Sequence, residues 1–137
     1  RTDQTGTVQG QTTTIHLDYT PARVKGTTLK SHPVDTTLAA GTYDDTALQL
    51  VLPALPLAAG KTFNLNVFSS GEGVTKIVSV KVGGVEQVKV AAGTFPAYRL
   101  ELSGMQLPLI MHVSQQAPRR VIRIEPTGAP LVFELVK

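Results

Sequence analysis

Ile15, Leu17 and Tyr19 alternate with His16 and Asp18, the period-two pattern of a strand with one buried face. Pro21 closes that strand. Val24 to Leu29 reads as a short second strand returning through Gly26, and Thr36 to Leu38 as another before a turn at Gly41. The first 14 residues are rich in Thr, Gln and Gly and read as a frayed lead-in. The period then changes. Ala47, Leu48, Val51, Leu52 and Leu55 recur at three and four residues, which predicts a short helix over about 44–53. Asp44 stands where a cap belongs, and Asp45 where a negative charge favours the helix N-terminus. Pro53 limits the helix, because proline cannot donate and clashes with the preceding turn.

From Lys61 onward the pattern is β. Phe63, Leu65 and Val67 alternate with Thr62, Asn64 and Asn66, and a hairpin loop is expected at Ser69–Gly73. Val74 to Val82 follows, with Val78, Val80 and Val82 facing one way. Gly83-Gly84 predicts a tight turn before Val85 to Val90, and Ala91–Thr94 a second. In Phe95 to Leu102, Tyr98, Leu100 and Leu102 share a face against Arg99 and Glu101. Leu109 to Val113, Arg120 to Ile124 and Leu131 to Val136 complete a meander. The fold class is therefore mainly β, a single domain over 1–137. Its strongly curved antiparallel sheet, a half-barrel or open barrel meander, wraps around the one helix.

Composition supports this and removes much chemistry. Of 137 residues, 42% are hydrophobic and only 17% charged, below the roughly 25% of an ordinary soluble domain. Threonine fills the gap with 17 copies, 13 of them before residue 47, and a β-branched residue suits a pleated surface. With no Cys, disulfides, thiolate metal sites and cysteine nucleophiles are excluded. The net charge of +3 is unevenly spread: residues 1–60 hold four basic side chains against five acidic, residues 61–137 nine against five. Seven aromatics and one tight basic cluster do not make a nucleic-acid surface. No apolar run is long enough for a transmembrane helix. The opening Arg1-Thr2-Asp3-Gln4 reads as a processed or trimmed start, so it is silent about export.

No protease, hydrolase, phosphate-loop or dinucleotide motif is present, and no catalytic residue, metal site or cofactor is expected. His16 and Asp18, two apart on one strand, read first as a surface pair and second as chemistry. His32 belongs to a loop. His112 sits between apolar neighbours and is expected half-buried and hydrogen-bonded. Asp44-Asp45 reads as cap and dipole partner rather than as a metal or acid–base pair. Phe63, Leu65, Val78, Val80, Tyr98, Leu100 and Ile110 read first as core at strand period. If the helix fails to fill the concave side, they line a lipophilic pocket. Arg119, Arg120 and Arg123 alternate, with Arg119 and Arg123 on one face. They read as a solvated edge, or as a contact for a partner or anion.

One stretch carries a resemblance. Val85-Glu86-Gln87-Val88-Lys89-Val90-Ala91-Ala92-Gly93-Thr94-Phe95 is similar to a hairpin ending V-P-A-G-T-F, with Ala91 where proline is usual. That hairpin marks a group of bacterial exported envelope proteins of unknown function. Tyr43 to Lys61 and Ala117 to Glu125 resemble its helix–loop and late-strand motifs. The resemblance covers residues 15–137 and implies a curved sheet similar in shape to periplasmic lipoprotein carriers, with an extracytoplasmic location. It carries over no catalytic residue.

Two functions follow as expectations. In the first, a non-enzymatic extracytoplasmic β-domain binds an apolar ligand or an envelope partner on its concave face. In the second, a structural or interaction module docks onto another domain or chain through strand edges. A hydrolase using His16 and Asp18 is the remote third.

Overall fold

The computed structural model describes residues 2–8, 11–28 and 32–136. The chain is mainly β, with one short helix. It runs β1 (Thr2–Val8), β2 (Gln11–Thr20), β3 (Arg23–Thr27), β4 (Pro33–Thr37) and β5 (Tyr43–Asp44), then a 3-10 turn at Asp45–Ala47 and α1 (Leu48–Ala54). After these come β6 (Thr62–Ser69), β7 (Val74–Val90), β8 (Gly93–Ser103), β9 (Leu109–Ser114), β10 (Val121–Pro126) and β11 (Phe133–Glu134). Two sheets result. One has the order β1-β2-β3-β4, and the other, curled into a half-barrel, has the order β11-β10-β9-β8-β7-β6-β5.

Contacts divide the chain into two compact units, residues 1–46 with 66–76, and residues 47–65 with 77–137. In the first unit, β2 pairs antiparallel with both β1 and β3, and β3 with β4. Thr2–Val8, read from sequence as lead-in, thus forms a strand in register with Gln11–Leu17. The alternation expected at Ile15, Leu17 and Tyr19 holds. Ile15 and Leu17 are buried with Val24, Val34, Leu38 and Phe68, and Tyr19 meets Phe68 edge to face at 6.1 Å. Gly26 is required where β3 crosses β2: at φ 151°, a Cβ there would lie 1.9 Å from the His16 carbonyl oxygen. Leu29, the expected end of β3, lies outside the described residues.

In the second unit, β7 through β11 form antiparallel neighbours. Val80 faces Leu102, Val82 faces Leu100, and Leu100 faces Met111. These side chains define the inner face, and all of them are buried. The helix packs against β9 with Leu48 and Leu52 buried. It begins later than the spacing predicts, because Asp45–Ala47 adopt the tighter 3-10 form. Pro53 lies inside its last turn instead of ending it, and Leu55 breaks it by going extended. The turn expected at Gly83-Gly84 is absent, and β7 runs straight through. Arg99 faces this glycine pair between the Val82–Leu100 and Val85–Tyr98 rungs, so the pair is a bulge. The last strand is shorter than expected, two residues in place of Leu131 to Val136.

Candidate functional site

The bulge resets the phase of β7 and thereby aims Glu86 at the outer face. Glu86 stands opposite Ala97, whose missing bulk lets the carboxylate reach across β8. Its Oε1 lies 2.5 Å from Nε2 of His112 on β9. The His112 ring is buried, and its Nδ1 has no hydrogen-bond partner. Arg99 on β8 and Arg123 on β10 flank His112 in register on the same face. Both are ion-paired: Arg99 with Glu101, and Arg123 with Glu125 at 2.9 Å and Glu134 at 3.5 Å. Beside this charged band, Val88, Val90, Ala97 and Ile122 form a second apolar cluster, covered by Phe95 and Leu135. The sheet is therefore packed on its inner face and partly on its outer face.

Two surface features are of interest among the described residues. The first is the edge at β11. Only Arg123 and Ile124 of β10 pair with it, opposite Glu134 and Phe133. The Leu135 N–H donates to the Ile122 carbonyl at 2.9 Å. By the alternation of an antiparallel ladder, the Glu134 backbone N–H and C=O then turn away from β10. Leu131, Val132, Phe133 and Val136 are 48–69% exposed along this segment. Next to it a groove of about 180 Å³ is lined by Gln49 of α1 with Ile124 and Phe133. The second feature is an outer-face groove of about 400 Å³ between β6 and β9, with Lys81 and Glu101 at its rim and Ile110 in its floor.

Of the five residues expected to bind a ligand, Phe63, Leu65, Tyr98 and Leu100 share the inner face and Ile110 does not. Leu100 is fully buried on the inner face, and Tyr98 shares that face half-buried. Phe63 and Leu65, half-buried on β6, alternate with Thr62, which lines the outer groove, so they turn to the other side. Ile110 faces Glu101 and Glu125, on the outer face. Val78, Val80, Val82, Leu100, Leu102 and Val113 are 0–1% exposed, whereas Phe63, Leu65 and Tyr98 on the same face are half-buried.

The three arginines are also arranged differently from the expected alternation. A register shift between Val121 and Arg123 moves Arg123 onto the outer face. Arg120 lies over the Phe95 ring at 5.5 Å, and Arg119 over Tyr98 at 5.8 Å while donating to the Leu55 carbonyl at 3.0 Å. Arg120 is exposed, and Arg119 and Arg123 are half-buried.

His16 bonds Asp3 through Nδ1 and lies 3.5 Å from Asp18 through Nε2, all three at the surface. The three form a surface cluster. His32 is in a loop, as expected. Asp44 accepts from Thr46 N–H at 2.8 Å, opening the 3-10 turn, and from the Tyr19 hydroxyl. Asp45 accepts from the Ser70 N–H and hydroxyl at 3.1 and 2.8 Å. Burial pushes the Asp45 carboxyl up from its ordinary range; Ser70 opposes this and the Asp44 charge adds to it. Among the described residues no cluster of three or more His, Asp or Glu is placed to hold a metal ion. Glu86 escaped the sequence reading because its partner is 26 positions away and its phase depends on the bulge.

These features define a mainly β chain whose curled sheet carries a buried inner row of side chains, a charged outer band and an exposed apolar edge. The chain belongs to the family described as protein of unknown function (DUF3108), whose model matches residues 2–135. No curated protein and no solved structure matches it. No described helix is long and apolar enough to cross a membrane.

Proposed function

We propose that the protein is a non-enzymatic interaction module that docks another protein chain along the β11 edge of its curled sheet. The observation that carries this reading is the run Leu131, Val132, Phe133 and Val136, exposed beside outward-turned backbone groups. Exposed apolar patches of on the order of a few hundred Å² on a single chain are commonly functional. An open edge recruits an extended partner segment, whose backbone supplies the missing hydrogen bonds. The groove beside Gln49 and Phe133 has room for one partner side chain.

Val80, Val82, Leu100 and Leu102 on the concave face are each 0–1% exposed and offer little surface to an apolar ligand. The packed interior therefore favours the docking reading over the carrier reading. The resemblance to exported envelope proteins supports an extracytoplasmic setting, with an envelope protein as the partner.

The test is affinity capture from extracts of the source organism, with wild type and a Val132→Lys/Phe133→Lys variant compared under identical conditions. A defined protein retained saturably by wild type, lost from the edge variant and kept by Leu50→Lys supports the reading. Equal retention by the edge variant overturns it.

A further inference from the structure

We propose that the outer-face groove beside Lys81 is a binding site for an acidic saccharide, a sugar chain carrying carboxylates. The site is separate from the β11 edge and does not depend on it. Two rungs of the β7–β8 ladder build its rim: Ser79 opposite Ser103, and Lys81 opposite Glu101. Thr62 on β6 and Thr127 after β10 complete it. The four hydroxyls and the Lys81 ammonium have no side-chain partner among the described residues. Glu101, which stands across from Lys81 and would ordinarily neutralise it, is held instead by Arg99. The groove is thus left with one uncommitted positive charge surrounded by hydroxyls.

The chemistry of the occupant follows from these groups. Hydroxyl groups that both donate and accept suit a polyhydroxylated ligand, and the free ammonium selects a carboxylate over a neutral sugar. The apolar lining of Ile110 and Pro108 accepts the C–H face of a pyranose ring. A volume of about 400 Å³ lies within the usual range of small-ligand sites. No aromatic ring lines the groove, so stacking is unavailable and the affinity expected is weak, a Kd of about 1 mM.

The experiment is a titration of the full chain, isotope-labelled, with trigalacturonate, using maltotriose as the neutral comparator and following backbone amides by NMR. The expected result is saturable shifts at Ser79, Lys81, Ser103 and Ile110 with trigalacturonate alone, weakened at least ~5-fold by Lys81→Ala and by raised salt. Thr127→Val, at an exposed position that leaves the sheet intact, is expected to weaken binding too. Absence of shifts at ~10 mM sugar, tenfold above the expected Kd, overturns the proposal. So do shifts mapping elsewhere, equal response to maltotriose, or unchanged binding by Lys81→Ala.

Discussion

Glu86 on β7 reaches over Ala97 to His112 on β9, joining two strands that are not neighbours in the sheet. The bond satisfies one nitrogen of a buried ring whose other nitrogen has no partner. Glu86→Ala removes the partner and leaves a buried Nε2 unsatisfied, a loss of about 1–3 kcal/mol. Glu86→Gln keeps an acceptor and is expected to lose less than half of that. Urea denaturation of the two variants checks the order, and equal losses would show that the bond contributes little.

Leu100→Ala, at a side chain with 0% exposure, is expected to cost about 2–5 kcal/mol through lost burial and a residual cavity. Leu50→Ala, at a helix position 80% exposed, is expected to stay within about 0.5 kcal/mol. A small cost at Leu100 would mean that the inner face is looser than a packed core. It would bring the carrier reading back.

Gly26→Ala places a Cβ against the His16 carbonyl in a conformation that L side chains rarely adopt. The expected outcome is loss of more than about 3 kcal/mol, or failure of the first unit to fold, read by hydrogen exchange of the β2 and β3 amides. Protection equal to wild type at Leu17 and Val24 would contradict the close crossing of these strands.

The pH dependence of the first unit has opposing parts. Asp45 is raised, so its folded state binds the proton more tightly. Its contribution is greatest at low pH and falls as pH rises from the ordinary aspartate range through the raised value. Asp35 and Glu72 are lowered by their hydrogen bonds to Arg23 and Lys76. Their contribution is present above the ordinary carboxylate range and is lost as pH falls through the lowered values. Asp45→Asn removes only the first part. Relative to wild type, the variant is expected to gain stability between about pH 4 and pH 7, as followed by denaturation at each pH. A constant difference across that range would contradict the burial of Asp45.

Much of the fold was legible in the sequence because period-two alternation survives wherever one face is buried. Ile15/Leu17 and Val78/Val80/Val82 were placed by that rule alone, and each is buried. What the pattern hid were the irregularities. Gly83-Gly84 has the composition of a turn, yet Leu100 and Tyr98 on β8 hold both its flanks in one ladder, and only tertiary pairing reveals a bulge. The same kind of shift at Val121/Arg123 moved Arg123 away from its expected neighbour Arg119. The site suffered most from this. Ile110 reads like Leu100 in sequence but lies on the opposite face, because a residue's face follows from register rather than hydrophobicity. The open β11 edge was foreseeable only as apolar residues near Pro130, since exposure is not written in residue type.

Native mass spectrometry of the full chain, isolated from its source under mild conditions, tests the docking account most directly. The account predicts a chain free of lipid adducts, together with a complex of defined mass that Val132→Lys/Phe133→Lys abolishes. A stoichiometric lipid adduct that survives this substitution, with no protein complex, would contradict it.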